Sequence, residues 1–225
     1  MMTQDDDKRA AAEAAVAEAQ SDMLVGLGTG STVRFAIEAL GRRVAEGLRI
    51  TAVATSIDSA QRAAALGIVM REFAEVARVD LTIDGADEID ARLWAIKGAG
   101  GAMLREKIVA AASTRMVVIA DASKRVAAIG TAKLPVEVLP FARGYVTDRL
   151  AMLDATVTVR DGVTDNGNLV LDARFAVFPE PRALAAALDA TPGVLGHGLF
   201  LDEVDATYVA DRGVVTRLER ADLNG

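Results

Sequence analysis

From residue 23 to residue 124, short runs of Val, Ile and Leu alternate with longer Ala-rich stretches, and glycines or aspartates mark where the short runs end. This alternation constrains the fold more than any other feature. Met23 to Leu27 reads as a buried strand that passes into Gly26-Leu-Gly-Thr-Gly-Ser-Thr32, after which Val33, Ile37, Leu40 and Val44 recur at helical spacing. Further strands are expected over 48–54, 67–70, 79–83 and 115–120, with a helix over 57–66. Strands separated by helices imply an α/β fold with a mostly parallel sheet and helices on both faces. Ligands of such sheets bind beyond the carboxyl ends of the strands. Loops 26–32, 84–90, 97–101 and 121–124 all follow expected strands, so they should share one edge.

The texture changes after Gly130. A proline-bracketed strand over 134–140, a helix over 141–153, two strands flanking Thr164-Asp-Asn-Gly-Asn168, a helix over 180–188 and a last short strand describe a small antiparallel α+β unit, 131–203. Two strands at 206–210 and 214–218 read as a closing hairpin that returns to the first domain, giving 1–130 with 204–225 as the larger unit. Residues 8–20 have strong helix propensity, with Lys8 at the start as a solvated end or an arm reaching a ligand.

The loop at 26–32 has the layout of a phosphate-binding βα unit, in which Ser31 or Thr32 caps the helix while neighbouring N–H groups face an anion. A P-loop needs Gly-Lys-Ser/Thr, and no lysine is present. The dinucleotide fingerprint needs a third glycine where Ser31 stands and an acid where the chain reads Val53-Ala-Thr-Ser56. A phosphate or phosphosugar loop remains, with a plain tight turn as the alternative. At Lys97-Gly-Ala-Gly-Gly-Ala102 a second glycine turn runs into a helical pattern, placing Glu106 about one turn in and Lys97 on the far side of the turn. A base and a cation are thereby offered to one pocket. The plain alternative is a connection followed by an amphipathic helix with a first-turn acid.

Composition narrows the chemistry. A net charge of −7 and 4% aromatic residues argue against nucleic-acid partners and anionic membrane. The absence of cysteine removes thiol nucleophiles, Cys-ligated zinc and iron–sulfur clusters, and a single histidine leaves little room for a His-based metal site or a Ser-His-Asp triad. Acid–base work would fall to carboxylates and lysines. No stretch has the form of a secretory signal or reaches transmembrane length, so a cytoplasmic protein is expected. Asp84, Asp87, Glu88 and Asp90 form an acidic cluster with three readings: a metal site lacking the calcium-loop pattern, a solvated turn that suits Glu88 and Asp90, or an Asp84–Asp87 pair that moves protons between neighbouring oxygens. His197, in Gly196-His-Gly198, reads as a loop or interface residue without a catalytic role.

Six motifs in order, Gly26 to Thr32, Asp84-Gly-Ala-Asp-Glu-Ile-Asp90, Lys97 to Ala102 with Arg105-Glu-Lys107, Asp121-Ala-Ser-Lys124, Leu134-Pro-Val-Glu-Val138 and Thr164 to Asn168, resemble the A-type ribose-5-phosphate isomerases. The resemblance implies a Rossmann-like domain with a ferredoxin-like second domain, assembled as homodimers or homotetramers. It implies a cofactor-free aldose–ketose isomerase acting on ribose 5-phosphate and ribulose 5-phosphate, with no metal. Glu106 would then be the base, and Asp84, Asp87 and Lys97 would assist ring opening and stabilise the enediolate. Thr29, Gly30, Ser31, Thr32, Lys124 and Lys8 would contact the phosphosugar, lined also by Gly85, Ala86, Gly98, Ala99 and Gly100. Ala99 departs from the family's usual glycine and is expected in an ordinary backbone region. Two other readings are a non-catalytic sugar-phosphate sensor, which needs no Glu106 and Lys97 beside an Asp pair, and an acyl-CoA transferase-like enzyme, which needs a larger cleft.

Overall fold

The computed structural model describes residues 3–220. Helix α1 (Gln4–Val16) starts earlier than its propensity suggests. The Thr3 side chain accepts the Asp6 N–H while the Asp6 carboxylate accepts the Thr3 N–H, and three acids sit on the positive end of the helix dipole. Lys8 consequently lies in the second turn, not at the start, and pairs with Asp5 at 3.2 Å.

Along the chain follow β1 (Leu24–Leu27), α2 (Ser31–Ala45), β2 (Thr51–Ala54), α3 (Ile57–Ala65), β3 (Val69–Met70), β4 (Leu81–Gly85), β5 (Glu88–Ile89), β6 (Ala95–Ile96), α4 (Met103–Ala111) and β7 (Met116–Asp121). The second half adds β8 (Leu134–Val138), α5 (Arg143–Ala151), β9 (Ala155–Val159), β10 (Leu169–Phe175), α6 (Pro181–Asp189), β11 (Val194–His197), β12 (Leu199–Phe200), β13 (Ala206–Asp211) and β14 (Val214–Glu219).

Seven strands form the main sheet in the order β14-β13-β7-β4-β1-β2-β3. Every neighbouring pair is parallel except β13 with β14. The pleat of β7 explains why its sequence is an unbroken apolar run. Val117 and Ile119 enter one core with Ala11, Ala15, Ile37 and Leu40 of α1 and α2, while Met116 and Val118 enter another with Ala110 of α4 and Phe200. Each such fully buried Val or Ile contributes roughly 1.5–3 kcal/mol. The hairpin β13–β14 returns to this sheet, with β13 parallel to β7 from Ala206↔Val117 to Ala210↔Asp121.

The succession β8-α5-β9-β10-α6-β11 forms a four-stranded antiparallel sheet in the order β11-β8-β10-β9, the ferredoxin-like arrangement. Its core holds Val136, Val138, Val146, Leu150, Leu171, Leu184 and Leu188. A third, small sheet in the order β12-β6-β5 draws on both stretches of chain: β5 and β6 lie between β4 and β7 of the main sheet, and β12 directly follows β11 of the antiparallel one. The glycine turn at 97–101 follows β6 and so leaves this small sheet, not the main one as the strand reading implied. Among the described residues no helix is long and apolar enough to cross a membrane.

His197 closes β11 and is buried, its Nε2 3.1 Å from Asp189 and its Nδ1 accepting the Leu199 N–H at 3.2 Å. It is a core strand residue and not the loop or interface position expected. Burial, with Lys107 nearby, lowers its pKa. The solvated-turn reading of Glu88 and Asp90 also fails. Glu88 is buried and accepts the Gly130 and Ala132 N–H groups, and Asp90 accepts from Arg92 and from the Trp94 N–H. Both carboxylates tie down backbone that would otherwise lack acceptors.

Candidate active site

The carboxyl ends of β1, β4 and β7 deliver one side of a cavity of about 330 Å³. Thr29, Gly30, Ser31 and Thr32 come from the turn after β1, Gly85, Ala86 and Asp87 from the end of β4, and Lys124 from the short 3₁₀ turn after β7. The other side comes from Lys97, Gly98, Ala99 and Gly100 and from Glu106 on α4. Loops from two different sheets therefore converge on one mouth.

Glycine is required at 28 for a reason that the turn pattern hides. A Cβ there would lie 1.9 Å from Asp84 Oδ1, so the Asp84 carboxyl fills the space that a side chain would take. Asp84 is fully buried and Oδ1 accepts the Thr29 N–H at 3.1 Å and the Gly85 N–H at 2.7 Å. Its Oδ2 lies 2.8 Å from Lys97 Nζ. The Lys97 ammonium is only 2% exposed, sits 3.2 Å from Glu106 Oε2, donates to Gly85 O at 2.5 Å and faces the Phe200 ring at 5.3 Å. Lys107 approaches the same ring at 4.2 Å, so two cations lie within reach of Phe200.

Two carboxylates around one buried ammonium cannot both be cheaply ionised. Burial, reinforced by the Asp84 charge, pushes the Glu106 carboxyl up to about 8 against the pull of Lys97. For Lys97, burial acts against the charged form, but Asp84 and Glu106 outweigh it and hold the ammonium above its ordinary value. Glu106 Oε2 is buried without an aligned hydrogen bond from any described protein group. The result is a fixed cation beside a carboxyl poised to exchange a proton near neutrality.

At the phosphate-like end the capping expectation is corrected. The N-cap of α2 is Gly30, with φ 115° and no side-chain cap bond, and Ser31 opens the helix. Positive φ at Gly30 turns the chain without needing an Ser31 or Thr32 hydroxyl, which leaves the first N–H groups of α2 uncapped by a side chain. Such a terminus favours an anion. Thr29 Oγ1 instead pairs with Thr55 Oγ1 at 2.8 Å.

The structure thus brings Glu106, Lys97, Asp84 and Asp87 together with Thr29 to Thr32, Gly85, Ala86, Gly98 to Gly100 and Lys124. Asp84 stands behind the lining, in contact with Lys97, and Lys8 is not part of the lining. Ala99 has no positive φ; among the described residues the non-glycine ones that do are Asp22, Leu93, Asp154 and Arg212. Sequence reasoning missed Arg160, whose Nη1 donates to Gly98 O at 3.0 Å and Ala99 O at 2.9 Å. Lone arginines at strand ends are common, and only the meeting of the two units reveals its partners. Among the described residues no group of His, Asp and Glu side chains has the form of a metal site.

A parallel sheet with a carboxylate–lysine pair at its carboxyl edge defines an α/β enzyme that works on small molecules. The comparisons make this particular: the chain belongs to the ribose 5-phosphate isomerase A (phosphoriboisomerase A) family, whose model matches residues 51–213. It is 54% identical over 209 residues to ribose-5-phosphate isomerase A of Sphingopyxis alaskensis, covering 91% of this chain and 92% of that protein. Its fold superposes on ribose 5 phosphate isomerase A from Neisseria gonorrhoeae with a TM-score of 0.93 at 38% identity, over 98% of this chain and 99% of that one. A D-ribose-5-phosphate isomerase in complex with phospho-erythronic acid aligns with a TM-score of 0.93 at 34% identity, over 97% of this chain and 100% of that one.

Proposed function

We propose that this cavity binds an open-chain pentose 5-phosphate and that Glu106 interconverts D-ribose 5-phosphate and D-ribulose 5-phosphate, a step of the non-oxidative pentose phosphate pathway, through an enediolate. The observation that carries the reading is the Glu106 carboxyl, buried 3.2 Å from Lys97 and pushed up to about 8. As carboxylate it takes the C2 proton of the aldose, and the C2–H electron pair becomes the C1–C2 double bond while the carbonyl electrons pass to O1. Lys97 stabilises the negative charge that develops on the oxygens. Asp87 shuttles the hydroxyl proton from O2 to O1, and Glu106 returns its proton to C1. The proton that leaves C2 balances the one that C1 gains, so the route needs neither an external oxidant nor a metal or cofactor.

Asp84 acts through Lys97, fixing the ammonium where the enediolate forms. The uncapped start of α2 at Ser31 and Thr32, with Lys124, takes the phosphate; Lys8 is assigned no contact with it. A relative's complex with phospho-erythronic acid, itself a phosphorylated four-carbon acid, supports an anionic phosphosugar at such a site. We take 1–130 with 204–225 as the catalytic domain and 131–203 as the ferredoxin-like one, in keeping with the return of β13 to the main sheet. A cytoplasmic homodimer or homotetramer completes the reading, and Phe141, Met152 and Val177, all strongly exposed, offer apolar surface for assembly.

The test is isomerisation in D₂O. Glu106 carries the C2 proton, so in turnovers where the carboxyl exchanges with solvent before delivering to C1, deuterium appears at C1 of the ribulose 5-phosphate formed. Isomerisation retained by Glu106→Gln in the same assay would remove Glu106 as the base.

A further inference from the structure

The glycine turn that forms one wall of the cavity has little stiffness of its own. Gly98 and Gly101 have φ +104° and +77°, and the turn closes by one bond from the Gly101 N–H to Gly98 O at 3.0 Å. Two contacts from outside hold its middle. The Ala99 N–H donates to Asp87 at 2.9 Å, and Arg160 Nη1 donates to the Gly98 and Ala99 carbonyls. The Ala99 residue is therefore gripped on one side by a carboxylate assigned to the chemistry and on the other by a guanidinium from the second unit.

Arg160 has the footing that such a role needs. Its Nε lies 3.1 Å from Asp172 Oδ2 and its Nη2 bonds Asp172 Oδ1, while Lys133 Nζ approaches the same buried carboxylate at 2.5 Å. The connection that follows Arg160 is pinned as well. Glu137, buried in β8, accepts from Thr164, Asn166 and Asn168, and Asp165 accepts the Ile57 N–H at 2.8 Å. Arg105, next to Glu106, donates to Asn166 at 2.7 Å.

We infer that Arg160 is a positioning residue for the isomerisation, the brace by which the ferredoxin-like unit sets the 98–101 turn and, through the Ala99 N–H, the Asp87 carboxylate. The inference rests on the function proposed above. Planar donors in a fixed fork let Arg160 grip the Asp172 carboxylate through two nitrogens while a third reaches two carbonyls, a spread of donors that a single ammonium nitrogen does not have.

The experiment compares Arg160→Lys, Arg160→Gln and Glu106→Gln with the unaltered enzyme, reading kcat and KM for ribose 5-phosphate, Tm, and amide exchange of the 97–102 segment. Arg160→Lys keeps a charge opposite Asp172 and should hold Tm, yet lose about tenfold to a hundredfold in kcat, as small misplacements in a site do. KM should change by less than about threefold, since the phosphate end is untouched. Exchange over 97–102 should rise in both Arg160 variants while 134–138 stays protected. Full kcat in Arg160→Lys, or unchanged exchange over 97–102, overturns the inference and reduces Arg160 to a charge partner of Asp172. If Glu106→Gln remains active in the same assays, the proposed function itself falls, whatever Arg160 does.

Discussion

The Nζ of Lys97 lies 3.2 Å from the carboxylate of Glu106, and both side chains are almost wholly shielded from solvent. The pair is not a simple salt bridge, because Asp84 claims the same ammonium at 2.8 Å. Lys97 is committed to a positive charge, and Glu106 is left as the group that titrates.

The first prediction concerns rate. Glu106→Gln keeps the shape and Lys97 contact of the side chain but removes the base, so turnover of ribose 5-phosphate should fall by at least about 10²–10⁴-fold. Phosphosugar binding, measured by calorimetry, should survive. Near-normal turnover would reassign the base.

A second follows from the raised carboxyl. Only the ionised Glu106 accepts the C2 proton, so kcat/KM should rise with pH and level off above about 8 in the free enzyme. A profile already flat from pH 6 upward would contradict a raised Glu106.

Stability should carry the opposite slope. Glu106 binds its proton more tightly folded than unfolded, so its contribution is fully present below 4.5 and is lost as pH rises through about 8. Denaturant titrations should therefore show Glu106→Gln gaining stability relative to the unaltered protein as pH climbs across that window. A constant difference at every pH would refute the assignment.

Removing the cation is costlier than removing the base. Lys97→Met leaves Asp84 and Glu106 facing each other without compensation, and breaking a buried pair costs roughly 3–5 kcal/mol. Chemical denaturation should show that loss, largest at alkaline pH where the Glu106 carboxyl ionises. A loss below about 1 kcal/mol, the range of exposed pairs, would mean that the site is open to water.

Gly28→Ala tests the close approach at the end of β1. The new Cβ would sit 1.9 Å from Asp84 Oδ1, and overpacking of this kind costs about 1–3 kcal/mol. Turnover should fall with stability, since Asp84 cannot retreat without releasing Lys97. Wild-type Tm and activity in this variant would show that Asp84 is not confined.

Chelation provides the last test. Assays in excess EDTA should show undiminished ribulose 5-phosphate formation, because a carboxylate and a lysine suffice for the proton transfer. Loss of activity restored by a divalent ion would remove the metal-free mechanism.

Much of this arrangement is legible in the chain because it is local or periodic. The βα rhythm before residue 124 fixes the parallel sheet, and the strand-helix-hairpin-helix-strand order after 130 fixes the antiparallel one. The glycine turns and Glu106 are readable for the same reason. Most of what escapes is set by contacts between distant segments. Nothing near Glu88 signals that its carboxylate serves the backbone at 130–132, whereas Asp90 closes a local turn onto Arg92 and Trp94 that an acidic run does not distinguish from a solvated one. His197 looks like a loop residue between two glycines until β8 pairs with it. Gly30, and not a hydroxyl, opens α2 because a positive φ makes the turn alone. Arg160 is silent in sequence since its acceptors on the glycine turn are backbone carbonyls, which every residue possesses.

The return of β13 to β7 has a bearing on how the molecule is made. A chain leaving the ribosome completes the ferredoxin-like unit, through β11, while the flank of β7 that β13 will cover still presents its bare amides and carbonyls. All four strands of the antiparallel sheet have emerged by then, but the seven-stranded sheet closes only when the β13–β14 hairpin follows, and that interval is when a neighbouring nascent chain would compete for the same edge.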